Sequence, residues 1–260
     1  IGIRIFLFTT NDPMGITGDL VAVQFAWDDI TGESQHVRPS NRLDQFAYAT
    51  ALGLVRRSTG LSFANGAELI SLLSSIGLIG AMALMGYALT GRATAALIFS
   101  TFTALYPPLI QTTLRAESES PFYFFTLLAW ALSVNFWRRG GWWLLAAALP
   151  MLVVSAGMRG TGLLHAGTLL VALVLASLIE RPPRPGRWMR LGAIFGIVLL
   201  TVGAVAITKA YVQQRVTENY VASSGQVPEF RSYTTYIMFD GLIMGPYPGP
   251  KDWARRQEAV

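Results

Sequence analysis

The sequence predicts an all-α protein, a polytopic transmembrane helical bundle, and three observations carry that expectation. Hydrophobic residues fill 52% of the 260 positions and charged residues only 13%, with a mean hydropathy of +0.44, too apolar a balance for an ordinary soluble domain. Apolar windows of the ~20 residues that a bilayer crossing requires recur along the chain. Most of the arginines behind the net charge of +5 sit in short stretches between those windows, where they read as topology signals rather than as a nucleic-acid surface. Cysteine is absent, which excludes disulfides, thiolate metal sites and thiol nucleophiles.

The chain opens at Ile1 inside an apolar run that ends near Thr9 and stops at Val260 in a polar stretch, so it reads as a fragment beginning at the tail of a first span; no signal peptide is visible. Residues 10 to 65 form a large external loop with two amphipathic segments. In 17 to 31, Thr17 is a candidate N-cap and apolar residues recur at 20, 23, 26, 27 and 30, one helical face. In 43 to 57, Leu43, Phe46, Ala47, Ala51 and Leu54 share a face, with Arg42, Asp44, Gln45, Arg56 and Arg57 elsewhere. Both are expected to be juxtamembrane helices lying on the membrane surface.

Six full spans follow, at roughly 67 to 89, 93 to 112, 121 to 137, 141 to 157, 161 to 179 and 191 to 210. The third and fourth are short and separated only by Arg138, Arg139 and two glycines, the pattern of a tight helical hairpin. If the 67 to 89 span runs inward, the inner loops hold Arg92, Arg138, Arg139, Arg181, Arg184, Arg187 and Arg190, whereas the short outer loops hold Arg115 and Arg159. Arg38, Arg42, Arg56 and Arg57 in the long first loop weigh less in that rule. Residues 1 to 210 thus form the transmembrane module. The stretch 211 to 260, rich in Tyr, Pro and Gly, is expected to be an irregular, truncated external loop.

This orientation gathers acids and arginines from three loops on one membrane face: Asp12, Asp19, Asp28, Asp29 and Glu33, then Arg115, Glu117 and Glu119, then Arg159. The grouping suits a reaction in which a carboxylate takes a proton from an acceptor hydroxyl while guanidinium groups neutralise a phosphate leaving group. Solvated loop charge is the alternative for any one of them. Gly-rich phosphate loops and H-E-x-x-H strings are absent, and His36 and His165 are too far apart in sequence to suggest a histidine metal site. His165 lies within a span, where a neutral imidazole bonded between helices is expected. Lys209, near a span end, can snorkel to the interface.

The order of these elements resembles the GT-C class of membrane glycosyltransferases, which take a sugar from a polyprenyl-phosphate carrier, such as the protein mannosyltransferase and aminoarabinose transferase families. The stretch NDPMGITGDLVAVQFAWDDITGE at 11 to 33 is similar to that class's acidic residue, short helix and Gly turn. RLDQFAYATALGLVRRSTG at 42 to 60 is similar to its second juxtamembrane helix. YPPLIQTTLRAESESPFYFFTLLAW at 106 to 130 and SAGMRGTGLLHAGTLLVAL at 155 to 173 resemble its second external loop and the opening of its sixth span.

The resemblance covers residues 1 to about 210. It implies sugar transfer from a polyprenyl-phosphate-linked donor to a lipid, glycan or protein acceptor, with membrane lipid around it and no nucleic-acid partner, in a bacterial inner membrane with the active site facing the periplasm. It puts Asp19 at the catalytic aspartate as general base, with Asp28 and Asp29 as reserves; Leu20 stands where many members carry a second acid. Glu119, or Glu117 beside it, becomes the second acid, positioning the acceptor or a divalent cation. Arg115 and Arg159 become carrier-phosphate ligands, and His36 joins the substrate-binding set. No cofactor is otherwise implied. A non-catalytic membrane subunit and a lipid-linked-substrate transporter are the other classes the sequence admits.

Overall fold

A computed structural model describes residues 18–33, 43–114, 118–179 and 186–225. The apolar run 1–9, Asp12, His36, Arg115, Glu117, Arg181, Arg184 and the tail from 226 lie outside the described residues. Those described are helical throughout, with no strand among them: α1 (Gly18–Thr31), a 3-10 turn (Leu43–Gln45) leading into α2 (Phe46–Thr59), α3 (Phe63–Thr90), α4 (Ala93–Leu105), α5 (Pro107–Leu114), α6 (Glu119–Arg139), α7 (Trp142–Met158), α8 (Gly162–Ile179) and α9 (Arg187–Ser224).

Three of these helices, α3, α8 and α9, are long and apolar enough to cross a membrane, and the bent pair α4–α5 makes up to four. The six spans expected from hydropathy are thus reduced on length and composition. At 17 residues, α7 reaches only about 25 Å, short of a hydrocarbon core of about 30 Å. Packed against α3, α7, α8 and α9, α6 buries Ser120, Thr126 and Ser133 and ends in Arg138 and Arg139. A helix surrounded by other helices has little need of a uniformly apolar surface. The single span expected at 93 to 112 is broken by a 59° bend between α4 and α5. Pro107 explains it: the proline ring lacks an N–H and drives Tyr106 into extended backbone (φ −71°, ψ 112°).

Two hydrophobic clusters define the bundle's ends. One joins Met85 and Ala88 of α3, Ala129 to Trp137 of α6, Leu144 to Leu152 of α7, Ala166 to Leu173 of α8 and Leu191 to Val198 of α9. Within this half, the Trp137 indole N–H donates to Ser177 Oγ at 3.2 Å, an interhelical polar contact of the kind that joins helices in lipid. The expected α6–α7 hairpin forms, turning on Gly140 and Gly141 at φ 82° and 95°, conformations open to glycine at little cost. Outward lie Leu97, Ile98 and Phe102 of α4, Leu164, Val171 and Leu175 of α8, and Leu199, Leu200 and Ile207 of α9, all exposed. So much apolar surface is suited to a bilayer rather than to water.

The second cluster assembles α1 and α2 over the start of α3, the start of α6 and the ends of α7 and α9, through Leu20, Val23, Trp27, Phe46, Leu52, Phe63, Phe122, Met158, Val212 and Val216, among others. The face expected for the first loop helix is the face buried: Leu20, Val23, Ala26 and Trp27 are all in this core, the larger of them contributing roughly 1.5–3 kcal/mol each. The face expected for the second is rotated. Leu43 and Phe46 are buried, but Leu54 is 57% exposed and the inner positions are Ala49, Leu52 and Gly53. Contact on two sides causes this. A Cβ on Gly53 would fall inside the Trp27 indole of α1, and one on Gly157 of α7 would lie 2.8 Å from Phe46 Cζ. Gly53→Ala is therefore expected to destabilise the fold by about 1–3 kcal/mol through overpacking, read as a lower melting temperature in detergent. Gly80→Ala, where a Cβ meets open space, is the control, and equal melting of the two variants would remove the close α1–α2 contact.

The last helix departs most from expectation. It spans 38 residues, about 57 Å, and continues as helix from 211 to 224 where an irregular loop is expected. Val212, Val216 and Tyr220, spaced at i, i+4 and i+8, are buried, and Gln214 and Arg215 reach Glu218 at 2.9 and 3.6 Å. This amphipathic extension docks on α1, where the Asn219 side-chain amide donates to the Asp29 carbonyl at 3.0 Å.

Candidate functional site

The two clusters separate charge along the bundle. Every acidic residue among those described, Asp19, Asp28, Asp29, Glu33, Asp44, Glu68, Glu119 and Glu218, lies on the α1–α2 end or on helix termini gathered there. Arg92, Arg138, Arg139, Arg187 and Arg190 lie at the other end, on the α3–α4 and α6–α7 turns and the start of α9. The candidate site is at the acidic end.

Glu119 occupies the first turn of α6, where the positive end of the helix dipole favours a carboxylate. Arg159 is the residue at which α7 ends, in extended backbone (φ −149°, ψ 134°), so its side chain leaves the helix at the same level. The α6–α7 hairpin returns the chain to that level, and Arg159 Nη1 donates to Glu119 Oε1 at 2.6 Å. Their side chains are 32% and 19% exposed. Glu119 Oε2 and the neighbouring Ser120 Oγ are buried and have no hydrogen-bond partner among the described residues. Deeper in the bundle, two turns along α6 from Glu119 and one turn back along α7 from Arg159, Thr126 Oγ1 and Ser155 Oγ share a hydrogen bond of 2.6 Å between the same two helices. His165 of α8 sits against the Phe122 ring at 5.4 Å and the Trp130 ring at 6.4 Å.

A carboxylate with one oxygen held by a guanidinium and the other unbonded can accept one more hydrogen bond, as an acceptor hydroxyl would supply. A guanidinium has five N–H groups, so Arg159 keeps donors beyond the one on Glu119 for a phosphate. Among the described residues no group of three or more metal-ligating side chains exists, and the cation beside Glu119 is Arg159. No step is assigned to a metal.

The three aspartates of α1 have different surroundings. Asp19 falls in the first turn of the helix, and its side chain lies outside the described residues. Asp28 is half-buried near the other end of the helix. Asp29 is 0% exposed and its Oδ1 accepts from the Tyr220 hydroxyl at 3.1 Å, which fastens α1 to α9. Glu33 pairs with Arg57 at 3.3 Å in solvent, and the Arg57 guanidinium lies 4.8 Å over the Trp27 ring that covers Gly53. Of the expected site residues, then, Glu119 and Arg159 meet directly, and Asp29 is tied to α9. Arg115, Glu117 and His36 lie outside the described residues. The contacts of Tyr220 and Asn219 with α1 were not anticipated, because a helix was not expected here; the apolar stripe Val212, Val216 and Tyr220 is the signal that could have placed them. Searches of protein-family models, curated proteins and solved structures return no match to this chain.

Proposed function

We propose that the chain is the membrane module of a GT-C-type glycosyltransferase, transferring a sugar from a polyprenyl-phosphate carrier to an acceptor hydroxyl at the acidic end of the bundle, the external, periplasmic side of an inner membrane. The observation that carries this reading is the Glu119–Arg159 pair, which joins an acid with an unbonded oxygen to a guanidinium with spare donors at the end of apolar helices. The order and spacing of the sequence motifs support it.

In this reading the lipid tail of the donor lies along the exposed apolar helices and Arg159 neutralises the departing phosphate, with Arg115 as its expected companion. Glu119 orients the acceptor hydroxyl, and Asp19 takes its proton. The α1 and α2 helices lie on the membrane surface, where the exposed Leu54 meets lipid. A second reading, a non-catalytic membrane subunit, draws on Asp29: a fully buried carboxylate bonded to Tyr220 shows that acids at this end also serve as fasteners.

Membranes containing the full-length protein, incubated with radiolabelled polyprenyl-phosphate sugars and membrane acceptors, are expected to move label into a lipid, glycan or protein fraction. Label that stays on the carrier across pentose and hexose donors would favour the subunit reading.

A further inference from the structure

The end of the bundle opposite the proposed chemistry has its own construction. Three helix C-termini converge there, each presenting carbonyls without intrahelical partners and the negative end of a dipole. Arginines from neighbouring elements meet them: Arg138 Nη1 donates to Ala88 O of α3 at 3.0 Å, Arg190 Nη1 to Trp137 O of α6 at 3.0 Å, and Arg187 Nη1 to Ser177 O of α8 at 2.6 Å. Arg139 is exposed and lies 4.3 Å over the Tyr87 ring. A Cβ on Gly140 would be 3.4 Å from Arg190 Nη2, so Arg190 borders the α6–α7 turn that carries Arg139. Among the described residues no carboxylate stands at this end. Trp142, Trp143 and Trp188 surround it and are exposed, as indoles are at the headgroup level of a bilayer.

We propose that this end seats the phosphate headgroup of an anionic phospholipid between Arg139, Arg187 and Arg190, with Trp142, Trp143 and Trp188 at the level of the glycerol backbone. Single hydrogen bonds to helix carbonyls hold Arg187 and Arg190 in place while leaving part of each guanidinium fork for phosphate oxygens. Charge complementarity selects the occupant: guanidinium groups with no carboxylate beside them among the described residues, ringed by interfacial aromatics, match a negatively charged lipid and not a zwitterionic one.

The test uses the purified full chain in detergent, offered equal phosphatidylglycerol and phosphatidylcholine of the same acyl chains, with retained lipid counted by native mass spectrometry. Wild type is expected to retain phosphatidylglycerol selectively, and Arg139→Gln and Arg190→Gln to lower that retention about fivefold each. Arg215→Gln, at the acidic end, is expected to leave it unchanged. Arg190 also caps α6, whereas Arg139 donates no such cap among the described residues; if Arg190→Gln fails to fold, the Arg139 variant alone decides. Equal retention of the two lipids, or retention unaffected by Arg139→Gln, overturns the proposal. Displacement of the lipid by excess inorganic phosphate overturns it as well, since the site would then be one for a free anion.

Discussion

Asp19→Asn is expected to lower sugar transfer by about 10²–10⁴-fold, the usual contribution of a general base, while leaving the protein's melting temperature within a degree or two of wild type. Asparagine keeps the shape of the side chain and removes its capacity to take a proton. Asp19 stands in the first turn of α1, a helix held to the bundle by Leu20, Val23, Ala26 and Trp27. That anchoring ties the helix that carries Asp19 to the acidic end of the bundle. Asp29 is the informative comparison. Its carboxylate is sealed from solvent and accepts the Tyr220 hydroxyl, whereas a base must come within hydrogen-bonding reach of its substrate. Asp29→Asn is therefore expected to lower the melting temperature, with turnover lost only in proportion to folded protein. Turnover unaffected by Asp19→Asn would remove Asp19 as the base, and a specific loss of turnover in Asp29→Asn would transfer the role.

The contrast between α1 and α2 shows what the sequence can and cannot reveal. The α1 stripe was legible because that helix buries one face built from large apolar residues. The α2 face was not, because one of its closest contacts is made by Gly53, whose lack of a side chain permits the contact and gives no hydrophobic signal. Hydropathy located the helices at 93 to 112 and 191 to 210 yet missed both of their irregularities. A window average passes over the backbone effect of Pro107, and it stops counting where α9 turns from apolar to amphipathic. The arginines at the end of the bundle opposite the candidate site were legible as a charge bias. That Arg138, Arg187 and Arg190 cap helices other than their own depends on how helix ends converge, which no local pattern specifies. The same holds at the candidate site. Glu119 and Arg159 were each identifiable as loop charges on one face, but their union depends on the Gly140–Gly141 turn bringing the end of α7 level with the start of α6.

That union makes a second prediction with a large effect. Arg159→Gln leaves a Glu119 carboxylate of which one buried oxygen already has no partner among the described residues and the other loses its 2.6 Å partner. Full burial of such an orphan would cost about 3–5 kcal/mol; with the two side chains 32% and 19% exposed, solvent screening reduces the expected loss to roughly 1–3 kcal/mol. Glu119→Gln is expected to cost less, because the amide oxygen still accepts from Arg159. The double variant is the decisive protein. Removing both charges removes the orphan, so its melting temperature should recover toward wild type, and the non-additivity measures the pair directly. Turnover should not recover with it, because the proposed chemistry needs a guanidinium for the phosphate and a carboxylate for the hydroxyl. KM for the polyprenyl-phosphate donor should rise in Arg159→Gln and stay near wild type in Glu119→Gln. A double variant that regains stability and transfer together would reduce the pair to a fastener between α6 and α7, and the acidic end would then match the role that Asp29 and Tyr220 already play between α1 and α9.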